Sequence, residues 1–558
     1  MLYAIQNCAA EWAYSSGKAY SDPFNDVELD VLITRPDGTE QLVPAFWGGD
    51  QTWRVRYSST QTGTHLYRTV CSDTGNSSLH GQTGTLEVTP YEGSNPLLKH
   101  GPLRIAGSGR TFEHVDGTPF FWLADTWWMG LCKRLRWPED VQELAADRAA
   151  KGFSVIQIIA GLYPDMEPFD ERGANEAGFP WDREFKRINP AYFDHADLRI
   201  THLVRAGLLP CIVGLWGFFI DFAGPEVVKK HWRYLIARYG AYPVVWCTAG
   251  EALMPYYLAE DTTEFQQWRT EVQLVTTADM TWLPAEKRAI WAEIMRMVKA
   301  TDPYGHPQTI HPNGFAHLTV DDPSLVEINM LHPAHLGYQT MTDMAHLVVS
   351  AVEEGPRIPV LVAEVNYEGE MEMSHPDTQR FFFWTAVLSG AGGHTYGAMG
   401  IWQMNTPEKP YGPSPHGASY GNRPWNEAAR LPGSTHVGNS KRLLERYAWC
   451  EFEPHPEWVE PHNTVENRFM PYAAGIPGKV RIFYLPGPSI RYVNRGEVTI
   501  TGLETGVVYR GFYYDVQSGQ EHESVPLRGD AQGNCTMPKA PILWDWVFVM
   551  ERNDEQDS

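Results

Sequence analysis

Between residues 96 and 448 the sequence alternates short apolar runs with helix-length amphipathic stretches, a pattern that few architectures accept. The runs are Phe120–Ala124, Ser154–Ile159, Leu208–Gly214, Val244–Thr248, Gln308–Ile310, Val326–Leu331, Pro359–Ala363 and Gly393–Tyr396. Their length and apolar character suit strands covered on both faces, as in a parallel sheet. Amphipathic patterns at 138–151, 191–206, 226–240, 284–300 and 376–390 separate most of them. Eight strand–helix units predict an α/β fold, a (β/α)8 TIM barrel with insertions. The rival, a doubly wound open sheet, wants a Gly-rich phosphate loop after an early strand, and none is present.

The flanks read differently. In residues 1–95, Val27–Ile33 and Trp53–Tyr57 alternate with period two, and Arg35-Pro36-Asp37-Gly38 supplies a turn. That is the texture of a β-sandwich. A loop-forming cluster at Tyr91–Pro96 ends it. The texture changes again near Trp449–Pro454, and Lys479–Leu485, Tyr509–Tyr514 and Trp546–Val549 predict a second, smaller β-sandwich over 449–558. The expected domains are therefore 1–95, 96–448 and 449–558, in keeping with roughly 100–200 residues per domain.

Composition narrows the partners. Hydrophobic residues at 43% and charged residues at 20% are the balance of a folded, soluble chain. A net charge of −23 repels polyphosphate, so nucleic acid is not an expected partner. No Lys/Arg cluster suggests an anionic membrane surface. Residues 381–407 carry no formal charge and are long enough to span a bilayer. Gly390, Gly392, Gly393, Gly397 and Gly400, with His394, Gln403 and Asn405, instead make this segment a buried helix end, a core strand and a pocket-lining loop. The seven Cys are scattered and include no C-x-x-C pair, so neither a disulfide framework nor a zinc ribbon is signalled. Reduced thiols, and no basic residue before Lys18, give the expectation of a cytoplasmic protein. A homo-oligomer is compatible with the sequence.

Barrel chemistry sits at the C-terminal ends of strands. Asp125, Trp216, Glu251, His311, His332, Glu364 and Tyr396 follow such ends. Glu251 and Glu364 each close a wholly apolar run, where a carboxylate is costly unless it faces a cleft or a partner. At the ends of the fourth and seventh strands they can face one another, as glycoside hydrolysis requires; ion-paired rim glutamates are the plainer alternative. Glu368, Glu370 and Glu372 lie further along the same loop, solvated or touching substrate. Trp127, Trp128, Trp216, Trp402 and Tyr396 can stack on sugar faces, with core packing as the competing role. Asp125, His311, His332, Asn366 and His394 can bind hydroxyls. His311, His332 and His394 also end strands where metal-dependent barrel hydrolases place ligands. No His-x-His marks the first strand and no H-E-x-x-H occurs, so neither a metal nor a cofactor is expected. A G-x-S-x-G nucleophile elbow is absent as well.

Several segments together resemble the apiosidase-like glycoside hydrolase barrels. They are Phe112–Trp128, Lys151–Gln157, Tyr242–Trp246 with Gly250-Glu251, Ala363–Gly369 and Ser389–Gly397. The regions around Asp22–Val27 and Phe512–Gly519 are similar to the β-sandwiches that often precede and follow such barrels. The resemblance implies a relative of the large retaining clan that includes cellulases and β-galactosidases, with Glu251 as acid/base and Glu364 as nucleophile. That clan usually has Asn before the acid/base, where it binds the 2-hydroxyl; here the position is Gly250. The expected activity is that of a retaining exo-glycosidase on a plant- or microbe-derived oligosaccharide or glycoside, with carboxyls about 5–5.5 Å apart. A non-catalytic carbohydrate-binding protein and a metal-dependent barrel hydrolase are the alternatives.

Overall fold

The computed structural model describes residues 1–257, 263, 266, 285–335, 337–415, 417, 419–493 and 496–553. At its centre is a curled nine-stranded sheet. It runs from Gln308–Thr309 through Val245–Cys247, Leu209–Val213, Val155–Ile159 and Trp122–Trp127 to Gly393–Tyr396, Val360–Val362, Asn329–His332 and Gly314–Phe315. The first eight are parallel and fall on or overlap the eight predicted runs. Gly314–Phe315 is an additional antiparallel strand. In chain order the first and last of the eight are neighbours, Trp122 pairing with Gly393 through Asp125 with Tyr396. At its far ends Glu327 N donates to Gln308 O at 3.0 Å and Thr309 Oγ1 to Ile328 O at 2.7 Å.

Helices Glu139–Lys151, Pro190–Arg205, Pro225–Tyr239, Ala285–Thr301, Tyr338–Glu353, Pro376–Leu388 and Pro432–Leu444 cover the sheet. Local sequence sets their ends. Pro190, Pro225, Pro376 and Pro432 occupy the first helical turn, where no N–H is missed. The helix Glu139–Lys151 has acids in its first turn, cations in its last, and Gly152 at φ 91° to close it. The uncharged segment after Arg380 is the end of a buried helix, the strand Gly393–Tyr396 and a buried loop. Among the described residues no helix is long and apolar enough to cross a membrane.

Before the central sheet, a five-stranded and a three-stranded sheet share a core of Val31, Val55, Tyr57 and Leu86. This unit docks on the helices Pro190–Arg205 and Pro225–Tyr239. Buried Arg56 pairs there with Asp197 and donates to Arg238 O at 2.8 Å. After the central sheet, a seven-stranded and a three-stranded sheet enclose Phe483, Tyr509 and Phe548. Arg380 on the helix Pro376–Leu388 reaches Asp545 with two bonds of 2.6 Å, both residues buried. A buried charge stripped of its partner costs more than the pair gains. Asp545→Ala is expected to destabilise the protein by about 3–5 kcal/mol, leaving Arg380 with its bond to His436, while an apolar pair at both positions restores most of the loss; calorimetric unfolding checks both.

Candidate active site

The strand Val245–Cys247 runs on to Gly250, which is bridged to Trp216: Gly217 N donates to Gly250 O at 2.7 Å and Gly250 N to Leu215 O at 2.9 Å. The Trp216 ring lies so close that a Cβ on Gly250 would stand 2.1 Å from Trp216 Cε3. No side chain fits before Glu251, which explains the departure from Asn at this position. Glu251 itself has φ 34°, a left-handed backbone that costs a non-glycine residue about 1–3 kcal/mol and persists where its surroundings enforce it. Asn313 Nδ2 donates to Glu251 Oε1 at 2.5 Å, and His332 Nδ1 stands 3.6 Å from the same oxygen. Burial, and then the charge of Glu364, pushes the Glu251 carboxyl up to about 8.

Glu364 follows the strand Val360–Val362 and is buried. Its Oε1 accepts from Tyr367 Oη and, at 3.3 Å, from His335 Nε2. Trp128 Nε1 donates to Tyr367 Oη at 2.8 Å, fixing the phenol. Glu370 Oε2 receives His335 Nδ1 and the Tyr367 backbone N–H, both at 3.0 Å. The His335 and Tyr367 rings stack at 5.1 Å. Burial alone would raise the Glu364 carboxyl; His332, His311 and His335 outweigh it and hold the group well below the usual carboxylate range. His332 is itself pushed down to about 3, its burial outweighing the pull of Glu364. Glu370 and Glu364 hold His335 well above its ordinary value against its own burial.

Aromatic rings wall this pair. Trp128, Trp216 and His311 meet at centroid distances of 5.6, 5.7 and 6.1 Å. Trp402 stacks on Tyr367 and is flanked by Tyr411 and Tyr420. His311, His332 and Glu364 also bring three donor atoms within 4.8 Å of one another, a set able to hold a metal ion.

The structure thus gathers Glu251, Glu364, Trp128, Trp216, His311, His332 and Trp402 of the predicted site. Others are turned away. Asp125, expected to bind hydroxyls, is fully buried and bonded to Arg148 Nε at 2.5 Å and to Trp127 Nε1 at 2.9 Å. Trp127 is a core residue for the same reason. Tyr396 Oη donates to Glu368 Oε2 at 2.5 Å, and Gly433 N to Glu368 Oε1 at 3.1 Å, so both residues brace a helix. His394 meets Phe383 of the helix Pro376–Leu388 edge-on. The cause is strand parity. Register places Leu123 beside His394 and Asp125 beside Tyr396, on the face that meets the helices. Asn366 is buried, with its amide on Gly337 O at 2.9 Å. Tyr367, His335 and Asn313 are the residues that sequence reasoning missed, and Glu370 is buried rather than solvated. The side chain of Glu372 lies outside the described residues. Position in a loop carries no parity, so only the repeated His in His332-Pro333-Ala334-His335 offered a signal.

Residues 106–451 match the catalytic domain of the apiosidase-like family. The chain belongs to that family. It is a glycoside hydrolase by that membership, and its substrate is a carbohydrate. Residues 8–72 match a domain of unknown function, DUF5060. Among solved structures, a glycoside hydrolase superposes with TM-score 0.66 at 20% identity, covering 84% of this chain and 100% of its own. A glycoside hydrolase family 5 protein from Bacteroides vulgatus gives 0.65 at 19%, covering 83% and 96%. A second Bacteroides vulgatus protein, assigned to the glycoside hydrolases, gives 0.67 at 17%, covering 99% and 100%. At these identities the likeness concerns the fold. Comparison with curated proteins gives no match.

Gly250→Ala drives a methyl group into Trp216. Overpacking of this kind costs about 1–3 kcal/mol, so a lowered Tm and loss of activity are expected, with Tm partly regained in a Trp216→Leu background.

Proposed function

We propose that the chain is a retaining, exo-acting glycosidase of short plant- or microbe-derived glycans, with Glu364 as nucleophile and Glu251 as acid/base. The observation that carries this reading is the opposite tuning of two carboxyls beside one imidazole, His332. Paired titratable groups whose surroundings push them apart mark an acid and a base. Glu364, anionic and held through Oε1, attacks the anomeric carbon with Oε2. Glu251, protonated at neutral pH, gives its proton to the leaving oxygen. In the second half-reaction Glu251 takes a proton from water, which releases the sugar from Glu364. The wall of Trp402, Tyr411 and Tyr420 beside Tyr367 supports action at a chain end.

The same reading covers the architecture. Hydrogen bonds between Glu327 and Gln308 support closure of the sheet as a (β/α)8 barrel. Separate cores on either side support β-sandwich domains over 1–95 and 449–558 around a 96–448 barrel. Seven free thiols support a reducing, cytoplasmic location.

A panel of aryl glycosides and oligosaccharides identifies the glycone, and NMR of the first-formed anomer reports retention. Glu364→Gln is expected to abolish turnover, and Glu251→Gln to lower it about 10²–10⁴-fold for poor leaving groups. Turnover unchanged in both variants, or an inverted product, overturns the assignment.

kcat/KM should fall as pH rises through about 8, where Glu251 loses its proton. Asn313 stabilises the ionised form of Glu251, so Asn313→Ala should move this alkaline limb upward. The same titration acts on stability. The folded pKa is raised from 4.5 to about 8, so the contribution is complete below pH 4.5 and is lost as pH climbs to about 8. Glu251→Gln should therefore gain Tm relative to wild type across that window.

A further inference from the structure

Among the described residues, five polar atoms in the core of the site lack a well-aligned hydrogen-bond partner: both ring nitrogens of His311, both of His332, and Glu364 Oε2. All three residues are buried. An unsatisfied buried polar group costs about 1–3 kcal/mol, and a cluster of them calls for an occupant. We propose that His311, His332 and Glu364 form a zinc site and that Zn2+ bound there silences the enzyme.

Geometry is the first support. Among the described residues, these three make up a His/Cys/Asp/Glu group whose donor atoms converge, within 4.8 Å of one another. His311 Nε2 and Glu364 Oε2 are 3.2 Å apart. That spacing matches one edge of a tetrahedron around an ion with bonds of about 2.0–2.1 Å. The second support is the setting of the carboxylate. Tyr367 and His335 occupy Oε1, and Glu370 fixes His335, which leaves Oε2 on the side of the imidazoles. Ligating carboxylates are commonly oriented by such outer hydrogen bonds. The third is donor chemistry. Two imidazoles and one carboxylate with an open position suit zinc, whereas calcium and magnesium prefer oxygen alone.

The consequence follows from which oxygen is free. Oε2 is the one left to attack a sugar, so an ion on Oε2 removes the attacking lone pair. Zinc then competes with substrate, and its dissociation restores activity. This last clause rests on Glu364 being the nucleophile; the binding itself does not.

The test uses the full chain, freed of metal with EDTA and exchanged into clean buffer. Co2+ titration followed by visible absorption, and Zn2+ titration by calorimetry, should each show one equivalent. Glu364→Gln and His332→Gln should weaken binding more than the roughly 10–100-fold that loss of an outer hydrogen bond costs. His455→Gln, far along the chain at an exposed pair with Glu457, should leave it unchanged. If one variant misfolds by circular dichroism, His311→Asn replaces it. No saturable equivalent, or equal binding in every variant, overturns the site. Zn2+ should inhibit glycoside turnover reversibly with EDTA; turnover lost in EDTA and restored by Zn2+ overturns the inhibitory role. If no glycoside is turned over at all, the glycosidase reading fails while the cobalt titration still decides the metal site.

Discussion

An ionised carboxylate can be buried only where donors replace the water it gives up, and the site is organised around that requirement at Glu364. Tyr367 and His335 serve its Oε1, but each needs support of its own. Trp128 Nε1 holds the Tyr367 phenol. Glu370 turns back to collect both the Tyr367 backbone N–H and the His335 ring. The sharp path through Gly369 and Met371, both with positive φ, places Glu370 where it can do so. One buried charge thus dictates the shape of a loop, the direction of an indole and the charge state of an imidazole.

Glu251 answers to a different constraint. It is not held ionised; it is held in place. The Trp216 ring closes against Gly250, and the chain leaves that contact in a left-handed turn that carries Glu251 toward Asn313 and His332. The indole that shapes this turn is also a wall of the cleft, so the placement of Glu251 and the shape of the cleft are set by one contact. With no amide side chain before Glu251, Asn313 from the next strand's loop stands beside its carboxyl.

The eight strands were legible because a parallel strand covered on both faces must be apolar throughout, and the chain advertises each one. The two glutamates were legible because each interrupts such a run at its end. Asp125, His394 and Tyr396 misled because a residue near a strand end points inward or outward by parity, and twist and strand length decide the parity. Register put all three against helices, where Asp125 completes a buried pair with Arg148. Tyr367, His335 and Asn313 reside on loops whose course is fixed by contacts distant in sequence, such as Trp128 with Tyr367, and no local pattern encodes those. The flanking sheets were readable from alternation, but the ion pairs that seat them, Arg56 with Asp197 and Arg380 with Asp545, join residues too far apart to be foreseen.

The most direct measurement is covalent trapping. Once a glycone is known, its 2-deoxy-2-fluoro glycoside with an activated leaving group is incubated with the enzyme, and the digest is mapped by mass spectrometry. The account predicts a single sugar adduct on the peptide that contains Glu364, absent in Glu364→Gln. An adduct on Glu251 or elsewhere, or turnover of the probe with no adduct and inversion of configuration, would contradict it.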